Sequence, residues 1–312
     1  MPDLAAAVAA GEHAVFHGPP ADALPGLDRA IEQAAAQGRA AELAILGWLR
    51  GVALGACGRY GEGLDLLEAL LAVPTVTARD RLVIALVAAA SASLHRQLGL
   101  HARARELDER GRQAAEPLGP SATEALLDCL VGLAADAVGL DDAQGAVAGV
   151  ARAEVVAAER GDAAGWRPRC RLEWVRAETA LLTGDPAAAE AAAVRALQLA
   201  EDAAAPRHQA KSLLFLGVAE ATRRDDQEAS TRAVTTLRRS AALAESLGAL
   251  PLVWPARAVL GALLAGTDPA ASREQLEEAR SAVRVIAERL PPGLRDPWLA
   301  RPDLAALLTG GP

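Results

Sequence analysis

Along most of this chain apolar side chains return at spacings of three, four and seven, which place them on one face of an α-helix. Leu64, Leu67 and Leu71 form one such stripe, and Leu172, Val175 and Leu182 another. A second pattern of small residues is laid over the first: Gly11, Gly18 and Ala23; Gly51, Gly58 and Gly63; Ala92, Gly99 and Ala104. It continues through Gly132 and Gly139, then Ala177, Gly184 and Ala189, and keeps its outer members Gly217 and Ala229 around Arg224. The middle positions recur about every 40 to 45 residues, the mark of a helical repeat array. Gly38, Gly119, Gly161 and Gly248 make an interleaved series of stops, so each repeat holds two helices.

In the second repeat the first helix is expected over about Ala40 to Cys57 and the second over about Tyr60 to Ala72, with Gly58 supplying a left-handed stop between them. Asp185 before Pro186 and Asp268 before Pro269 read as N-caps followed by a proline in the first turn. Gly51, Ala92, Gly132, Ala177, Gly217 and Gly261 fall where the two helices of a hairpin cross, and their size lets the backbones approach. The expected fold is all-α, a right-handed solenoid of about seven antiparallel hairpins running through residues 1–312 as one body. Residues 1–38 read as a capping hairpin, 39–290 as repeats, and 291–312 as a segment that folds back over the last hairpin through Trp298, Leu304, Leu307 and Leu308.

Composition supports the class: Ala dominates, aromatic residues are 3%, Asn is absent, and Lys211 is the single lysine. The net charge is −8, most arginines stand among carboxylates at helical spacing, and no basic stripe for a nucleic acid is visible. Cys57, Cys129 and Cys170 lie dispersed in apolar helical stretches, which suggests buried thiols and a cytoplasmic protein. The start, with Asp3 and no basic region, does not resemble a signal peptide, and the longest apolar run, Leu82 to Ala90, is too short to cross a bilayer.

Leu216-Gly217, Leu260-Gly261, Gly58-Arg59-Tyr60 and Ala196-Leu197 resemble the tetratricopeptide repeat, with its Leu-Gly pair in the first helix, Gly and an aromatic at the turn, and Ala in the second helix. The longer repeat is similar to the helical-repeat regions of actinobacterial regulators of the LuxR or MalT-like type. There such arrays follow an ATP-binding module, but this chain has no Gly-rich phosphate loop ending in Gly-Lys-Ser or Gly-Lys-Thr.

The resemblance implies a concave wall lined by the first helix of each repeat. That geometry selects Trp48 and Val52, then Ser93, Arg96 and Gln97, then Cys129 and Asp136, and finally Lys211. The sharpest stripe is Arg171, Trp174 and Glu178, because Trp beside Arg is the pairing enriched at binding hot spots. His13 and His17, with Glu12 beside them, could meet one metal, but local sequence supplies no further ligand and no metal or cofactor is assigned. His95 and His101 flank the Gly99 turn as surface residues, and His208 opens a helix without a nucleophile beside it. No serine elbow, Cys-His signature or Cys-x-x-Cys pair is present.

The leading expectation is therefore a non-enzymatic scaffold that holds a protein segment or peptide in its concave groove, in regulation or complex assembly. A small-molecule or signal sensor domain is the alternative, and an enzyme with a site assembled from distant repeats a second one. No nucleic-acid or membrane partner is expected. A homodimer is a further expectation, because open solenoid ends expose apolar surface.

Overall fold

The computed structural model describes residues 4–73, 77–223 and 226–310. Seven antiparallel hairpins follow one another: α1 (Leu4–His17) with α2 (Pro20–Ala36), α3 (Ala40–Ala56) with α4 (Tyr60–Leu71), α5 (Ala78–Gln97) with α6 (His101–Ala115), and α7 (Thr123–Gly139) with α8 (Ala143–Arg160). Then come α9 (Trp166–Leu182) with α10 (Pro186–Asp202), α11 (Pro206–Thr222) with α12 (Gln227–Ser246), and α13 (Leu250–Leu264) with α14 (Pro269–Glu288). Two short helices, α15 (Pro292–Leu299) and α16 (Pro302–Thr309), complete an all-α solenoid with no strand among the described residues.

Turn chemistry sets the hairpins. At Gly58, with φ of 75°, the amide of Arg59 donates to the carbonyl of Leu54 at 2.9 Å, closing the helix end in the left-handed manner. The same closure recurs after α7, but one residue carries it where glycine was expected nearby. Gly139 is the last residue of α7, and Asp141, with φ of 60°, takes the left-handed position. Aspartate tolerates that region better than most side chains. The turn expected at Arg224 lies outside the described residues. Asp142, Asp185, Asp226 and Asp268 each accept a hydrogen bond from the amide three residues on, at 2.8 to 3.0 Å, and so start the second helix of four hairpins. At Gly51 a Cβ would come within 2.6 Å of the Leu67 side chain, so α3 and α4 cross with no room for alanine.

The solenoid curls until its ends meet its middle. His17 at the end of α1 touches the Ala204 carbonyl before α11, at 3.4 Å. At the other end Arg289 donates to the carbonyl of Cys57, and Ile286 packs under the Gly58 turn. The tail does fold over α14, with Arg280 donating to the Leu307 carbonyl, but it also reaches across to the second and third hairpins. Trp298, 1% exposed, stands edge-on to Tyr60 and donates its indole N–H to the carbonyl of Gln97, which Arg301 also engages at 2.8 Å. Residues of α1–α9 and α14–α16 thus share one apolar core, and three smaller clusters pack the helices from α9 to α14.

Candidate functional site

Because of that closure the first helices of all seven hairpins face a common interior, a cavity of about 310 Å³. Six of the seven candidate groove residues line it: Trp48 from α3, Arg96 from α5, Arg171, Trp174 and Glu178 from α9, and Lys211 from α11. The seventh, Asp136, is fully buried behind the wall. There it binds Arg96 at 3.1 Å, while Arg96 also pairs with the buried Asp108 of α6. Cys129 likewise turns away from the cavity, with its thiol toward the carbonyl of Ala85 at 3.8 Å. All three cysteines are buried and free.

On α9 the charges are arranged the other way round. Asp128 of α7 receives Arg167 at 2.6 Å and Arg171 beside it, and Arg167 lies 3.5 Å from the half-exposed Glu124. Burial would raise the Asp128 carboxyl, but the two guanidinium groups hold it below the usual carboxylate range. Burial pushes Glu178 up, with Lys211 opposing the shift.

Trp174 is the centre of an aromatic group. It stacks on His208 with ring centroids 5.3 Å apart, carries the Lys211 ammonium over its ring at 4.4 Å from the centroid, and donates its indole N–H to Ser212 Oγ at 2.8 Å. His208 also meets Trp166 edge-on and lies 6.3 Å from Phe16. Desolvation, with Arg207 and Arg167 nearby, keeps its imidazole well below the ordinary histidine value and therefore neutral. The same desolvation lowers Lys211 to about 8 and Arg207 to about 10.

Arg167, Arg207 and His208 are cavity residues that the sequence reading passed over. Arg207 and Lys211 lie one turn apart on α11, as Arg167 and Arg171 do on α9, so the helical spacing that found Trp174 extends to both pairs. His95 and His101, expected on the surface, divide: His95 is 6% exposed and bonds the Ser91 carbonyl through Nδ1, while His101 joins the cavity wall. His13 and His17 stack with ring centroids 4.9 Å apart and border a side recess with Glu12 and Glu124.

No protein-family model matches the chain, and no curated protein matches its sequence. In fold, the chain is similar to a Rap protein. A Rap protein solved in complex with competence and sporulation factor superposes with a TM-score of 0.58 at 10% identity, covering 98% of each chain. The apo form of RapI gives a TM-score of 0.49 at 10% identity, over 98% of this chain and 84% of that one. At such identity the likeness concerns the fold, a tetratricopeptide-like helical repeat. No helix among the described residues is long and apolar enough to cross a membrane.

Proposed function

We propose that this chain is a regulatory binding scaffold, not an enzyme, whose central cavity takes a short peptide or the end of a protein segment. The observation that carries the reading is the convergence of seven helices on a cavity with a Trp on two of its walls and, in Arg207 and Lys211, two cations that make no ion pair among the described residues. Rigid aromatic surface supplies contact area, and the charges supply orientation, as ligand sites require. A chain of this fold has been solved with a factor bound to it, which supports holding a partner as something the architecture can do. The modest volume of the cavity, about 310 Å³, favours a second reading, a sensor that takes a small-molecule signal.

The test is affinity selection of N-acetylated random hexapeptides on the intact chain, read by mass spectrometry. Retained peptides are expected to bind with micromolar Kd. Ser93→Trp, which fills the cavity from α5, should weaken them at least tenfold with an unchanged helical circular dichroism spectrum. Retention of no peptide, or equal binding by the Ser93→Trp chain, would overturn the peptide reading.

A further inference from the structure

One turn and a half of α11 presents Arg207, His208 and Lys211 to the cavity. Among the described residues, Arg207 and Lys211 make no ion pair, whereas Arg96, Arg167 and Arg171 on the facing walls all do. Arg207 Nε is buried with no hydrogen-bond partner, and so is Nδ1 of His208, a side chain only 3% exposed. Buried donors and acceptors without partners are uncommon in folded proteins, and these two belong to adjacent residues of α11 that line the cavity.

The geometry points to a carboxylate-binding site between Arg207 and Lys211, in which the ligand's anionic group meets α11 and its apolar remainder lies against Trp48 and Trp174. The charge balance selects an anion. On this side of the cavity wall Arg167, Arg171, Arg207 and Lys211 face Asp128 and Glu178, a positive excess. Arg207 presents a planar fork of donors suited to a carboxylate, and Lys211 adds a compact charge held over the Trp174 ring at 4.4 Å. An acidic chain, with net charge −8, otherwise repels such ligands, which makes the local reversal of sign selective.

This inference rests on the preceding reading for the site but not for the kind of ligand, since the carboxylate can belong to a peptide C-terminus or to a free organic acid. Lys211 is the chain's single lysine, so its acylation by an N-hydroxysuccinimide acetate reports on the site directly. The rate is followed by peptide mapping in the presence of four probes: random N-acetyl hexapeptides as free acids, the same pool as C-terminal amides, 3-phenylpropionate, and its amide. The free-acid peptides are expected to slow Lys211 acylation at least fivefold and the amide pool less than twofold. Arg207→Gln should abolish the protection, and if that chain does not fold, a steep loss of protection with added sodium chloride serves instead. Protection by 3-phenylpropionate with none by the hexapeptides upholds the carboxylate site and removes the peptide reading. Equal protection by acid and amide pools removes the carboxylate site and leaves the peptide reading in place. Failure of both acid probes to protect overturns the carboxylate site.

Discussion

The two sides of the cavity hold the same ionic groups in inverse proportion. Toward α5, α6 and α7, one guanidinium, Arg96, is shared by two carboxylates, Asp108 and Asp136, both with no exposed side-chain surface. Toward α7 and α9, one carboxylate, Asp128, is shared by two guanidiniums, Arg167 and Arg171, and α11 adds Arg207 and Lys211, which make no ion pair among the described residues. The first group joins three helices and holds more carboxylates than cations. The second faces inward and leaves a positive excess. Lining a cavity therefore does not by itself mark a binding residue; what separates the two sides is whether the chain's own groups already satisfy the charge.

If Arg96 is structural, removing it strands two buried carboxylates. Arg96→Met should lower the unfolding free energy by about 3–5 kcal/mol, the usual penalty for breaking a buried pair from one side. The urea midpoint should fall with little change in slope. Adding Asp108→Asn to that chain should restore part of the loss, because one stranded charge is gone. A loss below about 1 kcal/mol for Arg96→Met would mean that water reaches the cluster, and the contrast between the two sides would collapse.

The next effect is a difference in pH dependence. Burial pushes Asp108 up to about 7, against the pull of Arg96 and with Asp136 adding to the rise. A carboxyl raised in the fold holds a proton that the unfolded chain has released, so its contribution to stability falls as pH rises from about 4 to 7. Asp128, held low by its two arginines, has the opposite sign: its contribution is present above the ordinary carboxylate value and is lost as pH falls through the folded one. Denaturation between pH 3 and 8 should show Asp108→Asn flattening the upper part of the curve, by at most about 1.4 kcal/mol per pH unit for one proton. Asp128→Asn should lower the curve above the ordinary carboxylate value and change its slope only at the acid end. Identical curves for the two variants would remove the electrostatic distinction.

How much of this was legible follows from the range of each interaction. The stop at Gly58, the Asp185 and Asp268 caps and the Arg171, Trp174, Glu178 stripe depend on residues within one or two helical turns, and local spacing suffices to read them. The left-handed residue after α7 was misplaced to Gly139 because glycine is the better candidate and the two-residue offset to Asp141 is invisible locally. Asp136 reads locally as a groove residue, but the partner that holds it behind the wall, Arg96, is 40 residues away on another hairpin. Whether a solenoid stays open or closes on itself is likewise set between hairpins and not within one. The Trp298 contact with Gln97 spans 201 residues, so no local pattern announces it. His208 was missed for the same reason, since its aromatic neighbours Phe16, Trp166 and Trp174 come from two other hairpins, the first and the fifth.

The smallest effect is the most discriminating. Lys211→Met keeps the length and flexibility of the side chain but removes a charge that makes no ion pair among the described residues and has only the through-space pull of Glu178 to offset its burial. Burial lowers the folded-state value of Lys211 to about 8, below the ordinary 10.5, so between those values the unfolded chain binds more protons and stability rises with pH. At pH 7 the ammonium therefore opposes folding. The methionine should gain about 0.5–1 kcal/mol there, after losing about 0.5–1 kcal/mol of cation–π attraction to Trp174. At pH 9.5 the gain should shrink, because the native amine has by then released its proton in the folded state. A ligand-binding cation and a structural one differ in just this sign: the first is held at some expense of stability, and Arg96→Met and Lys211→Met should move the melting temperature in opposite directions. Should Lys211→Met destabilise the fold by more than about 1 kcal/mol at pH 7, Lys211 would belong with Arg96 as a structural ion, and α11 would lose its claim to the ligand.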